Sequence, residues 1–158
     1  MDAYHLLRLV HILSAAVLSG SGAAIAFFML MAWRSRDRAG FALAARHVVL
    51  ADWLFTATAV VVQPVSGLAL AHVAGWPLMS PWLLTSVGLY LFIGACWLPV
   101  VRIQYRVRNL LAQGEGDSIP SGVDRLMRIW FVLGWPAFAA LIDSINYKLM
   151  RDKAPAGA

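Results

Sequence analysis

Residues 53–101 read WLFTATAVVVQPVSGLALAHVAGWPLMSPWLLTSVGLYLFIGACWLPVV, and these 49 consecutive positions hold no Asp, Glu, Lys or Arg. A helix crosses the hydrocarbon core in about 20 apolar residues at 1.5 Å rise each, so the run is too long for one crossing and long enough for two. The break falls at Val73-Ala74-Gly75-Trp76-Pro77-Leu78-Met79-Ser80-Pro81, where a glycine and two prolines interrupt the pattern. Upstream, Leu9 to Trp33 is a second uncharged run of 25 positions. Downstream, Ile129 to Ile142 is shorter, and extending it through Asp143 to Tyr147 reaches 19 residues. The spacing predicts an all-α, four-helix transmembrane bundle as one domain over 1–158, with helices at about 5–33, 47–73, 82–106 and 125–149. No ten-residue alternating pattern suggests a barrel, and an open sheet edge cannot face lipid. The first segment is too long in its apolar part, and lacks the basic start, for a cleaved signal peptide.

Composition agrees. Hydrophobic residues make up 61% of the 158 and charged residues 13%, where a soluble domain carries about 25% charged. Mean hydropathy is +0.71. A net charge of +5 and a pI near 10.0 would suggest nucleic acid in a soluble protein. Here the cations sit in short interhelical stretches, and nucleic acid is not an expected partner. The single cysteine, Cys96, excludes an intramolecular disulfide framework. Arg34, Arg36, Arg38, Arg46, Arg102, Arg106, Arg108, Arg125 and Arg128 fall on one side of the predicted bundle, nine cations against four (Arg8, Lys148, Arg151, Lys153) on the other. The positive-inside rule puts the nine in the cytoplasm and both termini on the periplasmic side of a bacterial inner membrane. Trp33, Trp53, Trp76, Trp82 and Trp130 lie near predicted helix ends, as interfacial indoles do.

An ionisable group inside a bilayer is costly and marks a candidate site. Helix one carries His5, Arg8 and His11; helix two carries His47, Asp52, Gln63 and His72; helix four carries Asp143 beside Asn146. Helix direction places His5, Arg8, His11, His72 and Asp143 at one depth, near the periplasmic face. His11 and His72, on adjacent antiparallel helices, satisfy the depth requirement of a bis-imidazole b-type haem site. Arg8, one turn from His11, suits a propionate. The stripe His11, Ala15, Leu18, Gly22 offers a face free of bulk for a flat ring. The same small-residue run also fits close helix–helix packing, and His5 and His72 also fit an interfacial position with wet tips. Thr56, Gln63 and Ser66 fall within about 40° of Asp52 at 100° per residue, a polar stripe that serves packing or proton access. Asp143 is a candidate partner for Arg8. Pro64, Pro99 and Pro136 predict kinks, and Pro64 frees a carbonyl for a side chain or water. No Walker loop, dinucleotide fingerprint, CxxC or HExxH occurs.

The stretches Arg46–Thr56, Gln63-Pro64-Val65-Ser66-Gly67 and Gly94–Val101 resemble a bacterial family of predicted integral membrane proteins of unknown function, over nearly the whole chain. More distantly, Tyr4-His5-Leu6-Leu7-Arg8-Leu9-Val10-His11-Ile12-Leu13 is similar to the first helix of HemJ-type protoporphyrinogen oxidases. Those are small four-helix membrane proteins that bind b-type haem. That resemblance implies that His11 takes the place of their first-helix histidine and Arg8 that of the cation three residues before it. A similar first helix recurs in CopD-type copper proteins. The chain departs from the HemJ pattern in having Pro81-Trp82 at the start of helix three and no histidine along it.

Three functional expectations follow. The first is a b-haem protein with an electron-transfer or oxidoreductase role, acting on a quinol- or porphyrinogen-like substrate, with His11, His72, Arg8, His5 and Gly22 around the cofactor and His11 and His72 as iron ligands. The second is a non-catalytic membrane bundle or subunit. The third is copper handling, with Met79 as a soft ligand near His72. The partners implied are the lipid bilayer and a quinone or porphyrin, with a homo-oligomer left open.

Overall fold

The computed structural model describes residues 2–114 and 116–151, with side chains for 2–136 (115 excepted) and 139. Five α-helices and one π-helical turn account for most of it: α1 Ala3–Ser35, α2 Arg38–Ala51, the π turn Asp52–Thr56, α3 Ala57–Val73, α4 Pro81–Gln113 and α5 Val123–Arg151. No strand occurs among the described residues. Because the π turn joins α2 to α3 without a break, Arg38–Val73 is one rod of 36 residues, and the bundle has four rods. Ala3–Ser35, Arg38–Val73 and Pro81–Gln113 are each long and apolar enough to cross a membrane. α5 is the fourth rod; the side chains of Asp143 and Asn146, in its last turns, lie outside the described residues.

The rods outrun the expected spans at the arginine-rich end. The sequence reading starts helix two at 47; the structure starts it at Arg38, one residue after the cap Asp37. The Asp37 carboxylate accepts from the backbone N–H groups of Ala39 (3.0 Å) and Gly40 (3.1 Å), satisfying two donors that a helix start leaves open. Arg36, at φ 58°, makes the left-handed turn that ends α1. An uncharged-run criterion stops at the first cation, whereas backbone hydrogen bonding continues past it into the interface. For the same reason α4 runs on to Gln113 rather than 106. At the far end of that overhang Arg38 donates to the carbonyls of Leu111 (3.0 Å), Gly114 and Gly116. It places a cation on the C-terminal carbonyls of α4, where the helix dipole favours one.

The other end closes as the sequence suggests. Gly75 takes φ +71°, the Trp76 N–H reaches the Ala71 carbonyl at 2.9 Å and the Gly75 N–H reaches the His72 carbonyl at 3.1 Å. This bonding pattern is a Schellman stop, which needs a residue without a Cβ penalty at that position. Trp76 and Trp82 then meet edge to face across the loop, 5.7 Å between centroids.

The buried core is concentrated at the arginine-rich end. Ile25 and Met29 of α1, Phe41, Ala45 and Val48 of α2, Ile103, Val107 and Leu111 of α4, and Val123, Met127 and Trp130 of α5 form one cluster. Toward the other end α1 packs on α3. Leu68, Leu84, Leu91, Val61 and Val65 are exposed there, a pattern suited to lipid as solvent rather than water.

Candidate functional site

The most polar internal contact lies between α1 and α3. Ser66 is buried, and its hydroxyl donates to the Val62 carbonyl at 2.7 Å. Its oxygen therefore accepts from His11, whose Nδ1 lies 3.0 Å away. That assignment leaves the lone pair on His11 Nε2, which the Gln63 amide nitrogen approaches at 3.4 Å. The Gln63 carbonyl oxygen in turn accepts from Ser14 Oγ, which also lies 3.0 Å from the His11 carbonyl. The chain of donors is self-consistent: Ser14 to Gln63, Gln63 to His11, His11 to Ser66, Ser66 to backbone. It fixes the orientation of the His11 ring, and in a neutral ring it fits the tautomer with the proton on Nδ1.

Gly67 makes room for that ring. A Cβ built on it would sit 3.1 Å from His11 Cε1, so the histidine edge fills the space a side chain would take. The seam continues toward the arginine-rich end with Ser21 Oγ 3.1 Å from Thr56 Oγ1. Of the four residues expected on one polar stripe, Thr56, Gln63 and Ser66 all face α1. Asp52, buried, is reached instead by the Trp97 indole N–H of α4 at 3.3 Å and is hydrogen-bonded by the Thr56 hydroxyl. It stands at the start of the π turn, a local unwinding common at functional positions.

Pro64 adds a second tie. Lacking an N–H, it leaves the Val60 carbonyl without its helical partner, and the Tyr90 hydroxyl of α4 donates to that carbonyl. The expectation of a freed carbonyl met by a side chain is thus realised. Nothing in the sequence singles out Tyr90, since proline identifies the acceptor but not the helix that supplies the donor.

The remaining candidates are more dispersed. Ala15, Leu18 and Gly22 are half-buried on the face that carries His11, so the small-residue stripe packs inward. Arg8, His47 and His72 are exposed. His5 is exposed too, with its ring 3.8 Å from the Asp2 carboxylate. His72 lies five residues past Gly67, which turns it roughly 140° from the His11 contact at 100° per residue. The structure brings His11 together with Gln63, Ser66 and Ser14, and does not bring His72 to that group. No cluster of three or more His, Cys, Asp or Glu able to hold a metal occurs among the described residues. Beside the seam, an apolar groove of about 230 Å³ is lined by Leu7, Val10, Val61, Val62, Val65 and Ala69, with Ser66 also on its wall.

Helical rods with apolar exposed flanks and polar groups gathered on an internal seam define an integral membrane protein of the multi-span helical class. The chain belongs to the predicted integral membrane protein family DUF2269, whose family model matches residues 5–153. No curated protein and no solved structure matched it.

Proposed function

We propose that the protein is a b-type haem-binding protein of the bacterial inner membrane, with both termini periplasmic, that exchanges electrons with a lipophilic quinol- or porphyrinogen-like substrate. The observation that carries this reading is the seat of His11: its Nδ1 lies 3.0 Å from the Ser66 hydroxyl, whose own proton goes to the Val62 carbonyl, so a neutral ring in this contact would keep its lone pair on Nε2. Iron-ligating histidines take that form, their second nitrogen anchored by a hydrogen bond that sets tautomer and orientation. His11 would hold the iron through Nε2 once the Gln63 amide turns aside, and Arg8, one turn earlier, would face a propionate. Haem, when bound, supplies one-electron chemistry. The pairing of His11 with His72 fits poorly, because His72 is exposed and turned away. The apolar groove beside the seam, with Ser66 on its wall, would hold the apolar part of such a substrate.

One observation favours a non-catalytic bundle instead: Gly67 lets α1 and α3 approach as closely as packing seams do. Copper handling would rest on His72 and Met79, both exposed at the same end, with metal content after copper loading as its test. Protein purified from haem-replete cells and mixed anaerobically with a short-chain quinol separates the readings. Reduction of a bound haem is expected in the wild type. A haem-loaded protein that stays oxidised would remove the quinol, and a colourless protein would leave the bundle.

A further inference from the structure

α4 carries a face with the chemical layout of a phospholipid. Arg102, Arg106, Asn109 and Gln113 fall within about 40° of Arg102 on an ideal helix. Arg106, Asn109 and Gln113 line a cavity of about 330 Å³ that Leu110 and Leu126 complete from α4 and α5. Among the described residues neither Arg102 nor Arg106 has a hydrogen bond or an acidic partner; the ion pairs are Arg36–Asp124 and His5–Asp2. Two guanidinium groups at a membrane interface without a counter-ion attract a phosphate.

Continuing up the same face, in the direction of the uncharged run, are Leu98, Ala95, Leu91, Gly88 and Leu84. Leu98, Leu91 and Leu84 are 51%, 64% and 51% exposed, and a Cβ on Gly88 would meet open space. Large and small residues alternate along this strip, leaving a shallow track for acyl chains directly above the arginines. The 21 residues from Pro81 to Val101 span about 31 Å, close to the hydrocarbon thickness, which puts Arg102 and Arg106 at headgroup depth.

We propose that this face of α4, with the α4–α5 cavity below it, is a binding site for one anionic phospholipid, phosphate on Arg102 and Arg106 and acyl chains on the Leu84–Leu98 strip. The apolar strip is what selects a lipid over free phosphate. The test uses the full chain purified in a mild non-ionic detergent, offered phosphatidylglycerol, phosphatidylcholine or inorganic phosphate, with bound lipid read by native mass spectrometry. Phosphatidylglycerol is expected to be retained preferentially. Arg102→Gln and Arg106→Gln should each weaken retention about fivefold, as one surface cation does, while the charge-keeping Arg106→Lys retains most of it. Arg34→Gln, off this face, should leave it unchanged. Unfolding temperatures of the same samples check that the variants remain folded. Equal retention of phosphatidylcholine, full competition by inorganic phosphate, or a folded double variant that binds as the wild type does would overturn the proposal.

Discussion

Asp124 ties together the start of α5 and the end of α1. Its carboxylate accepts from the Trp33 indole N–H at 2.6 Å and from Arg36 at 2.7 Å, and these donors, the indole first, hold it below the ordinary carboxylate range. A lowered folded-state pKa stabilises the fold above the unfolded value near pH 4, and the gain disappears as pH falls through the lowered value. The contact is partly exposed, so Asp124→Asn should cost about 1 kcal/mol or less at neutral pH. Thermal unfolding in detergent at pH 7 and below pH 3 checks it: the gap between variant and wild type closes in acid. At the same scale, His11 shows what sequence can disclose. Its residue type and depth single it out as a candidate. Its partners Gln63 and Ser66 stand out as a polar stripe on the other rod, but the contact between the two needs a register that only packing sets.

For the elements, boundaries are legible wherever a backbone requirement is local. Gly75 ends α3 because a left-handed residue is needed there, and proline opens α4. They are illegible where charge changes before helicity does, which hides the first nine residues of α2 and the last seven of α4 from a hydropathy argument. The π turn at Asp52–Thr56 has no sequence signal of its own. Tyr90 and Pro64 give an element-scale prediction. Tyr90→Phe leaves the Val60 carbonyl without a donor and should cost about 1–2 kcal/mol. Pro64→Ala restores the helical N–H to that carbonyl, so in its background the Tyr90→Phe cost should fall to near zero. A double-mutant cycle on unfolding in detergent measures the difference; additive costs would show that Tyr90 does not serve the proline's orphan carbonyl.

Across the whole molecule, the all-helical, membrane-spanning architecture was legible from two uncharged runs and one break. The placement of the core was not, because hydropathy treats every apolar residue alike and cannot separate lipid-facing from buried. Only contacts reveal that the core gathers at the end with nine cations, leaving the His11 end held by the α1–α3 seam. The cation imbalance predicts that a reporter enzyme fused after Ala158 is active in the periplasm and inactive in the cytoplasm; the opposite activity would invert the bundle. The central proposal, that Ser66 anchors His11 as an iron ligand, is tested most directly by the absorption spectrum of protein from haem-replete cells. A Soret band is expected in the wild type and in His47→Ala and absent in a folded His11→Ala variant. A wild type without the band, or a His11→Ala protein that keeps it, would contradict the account.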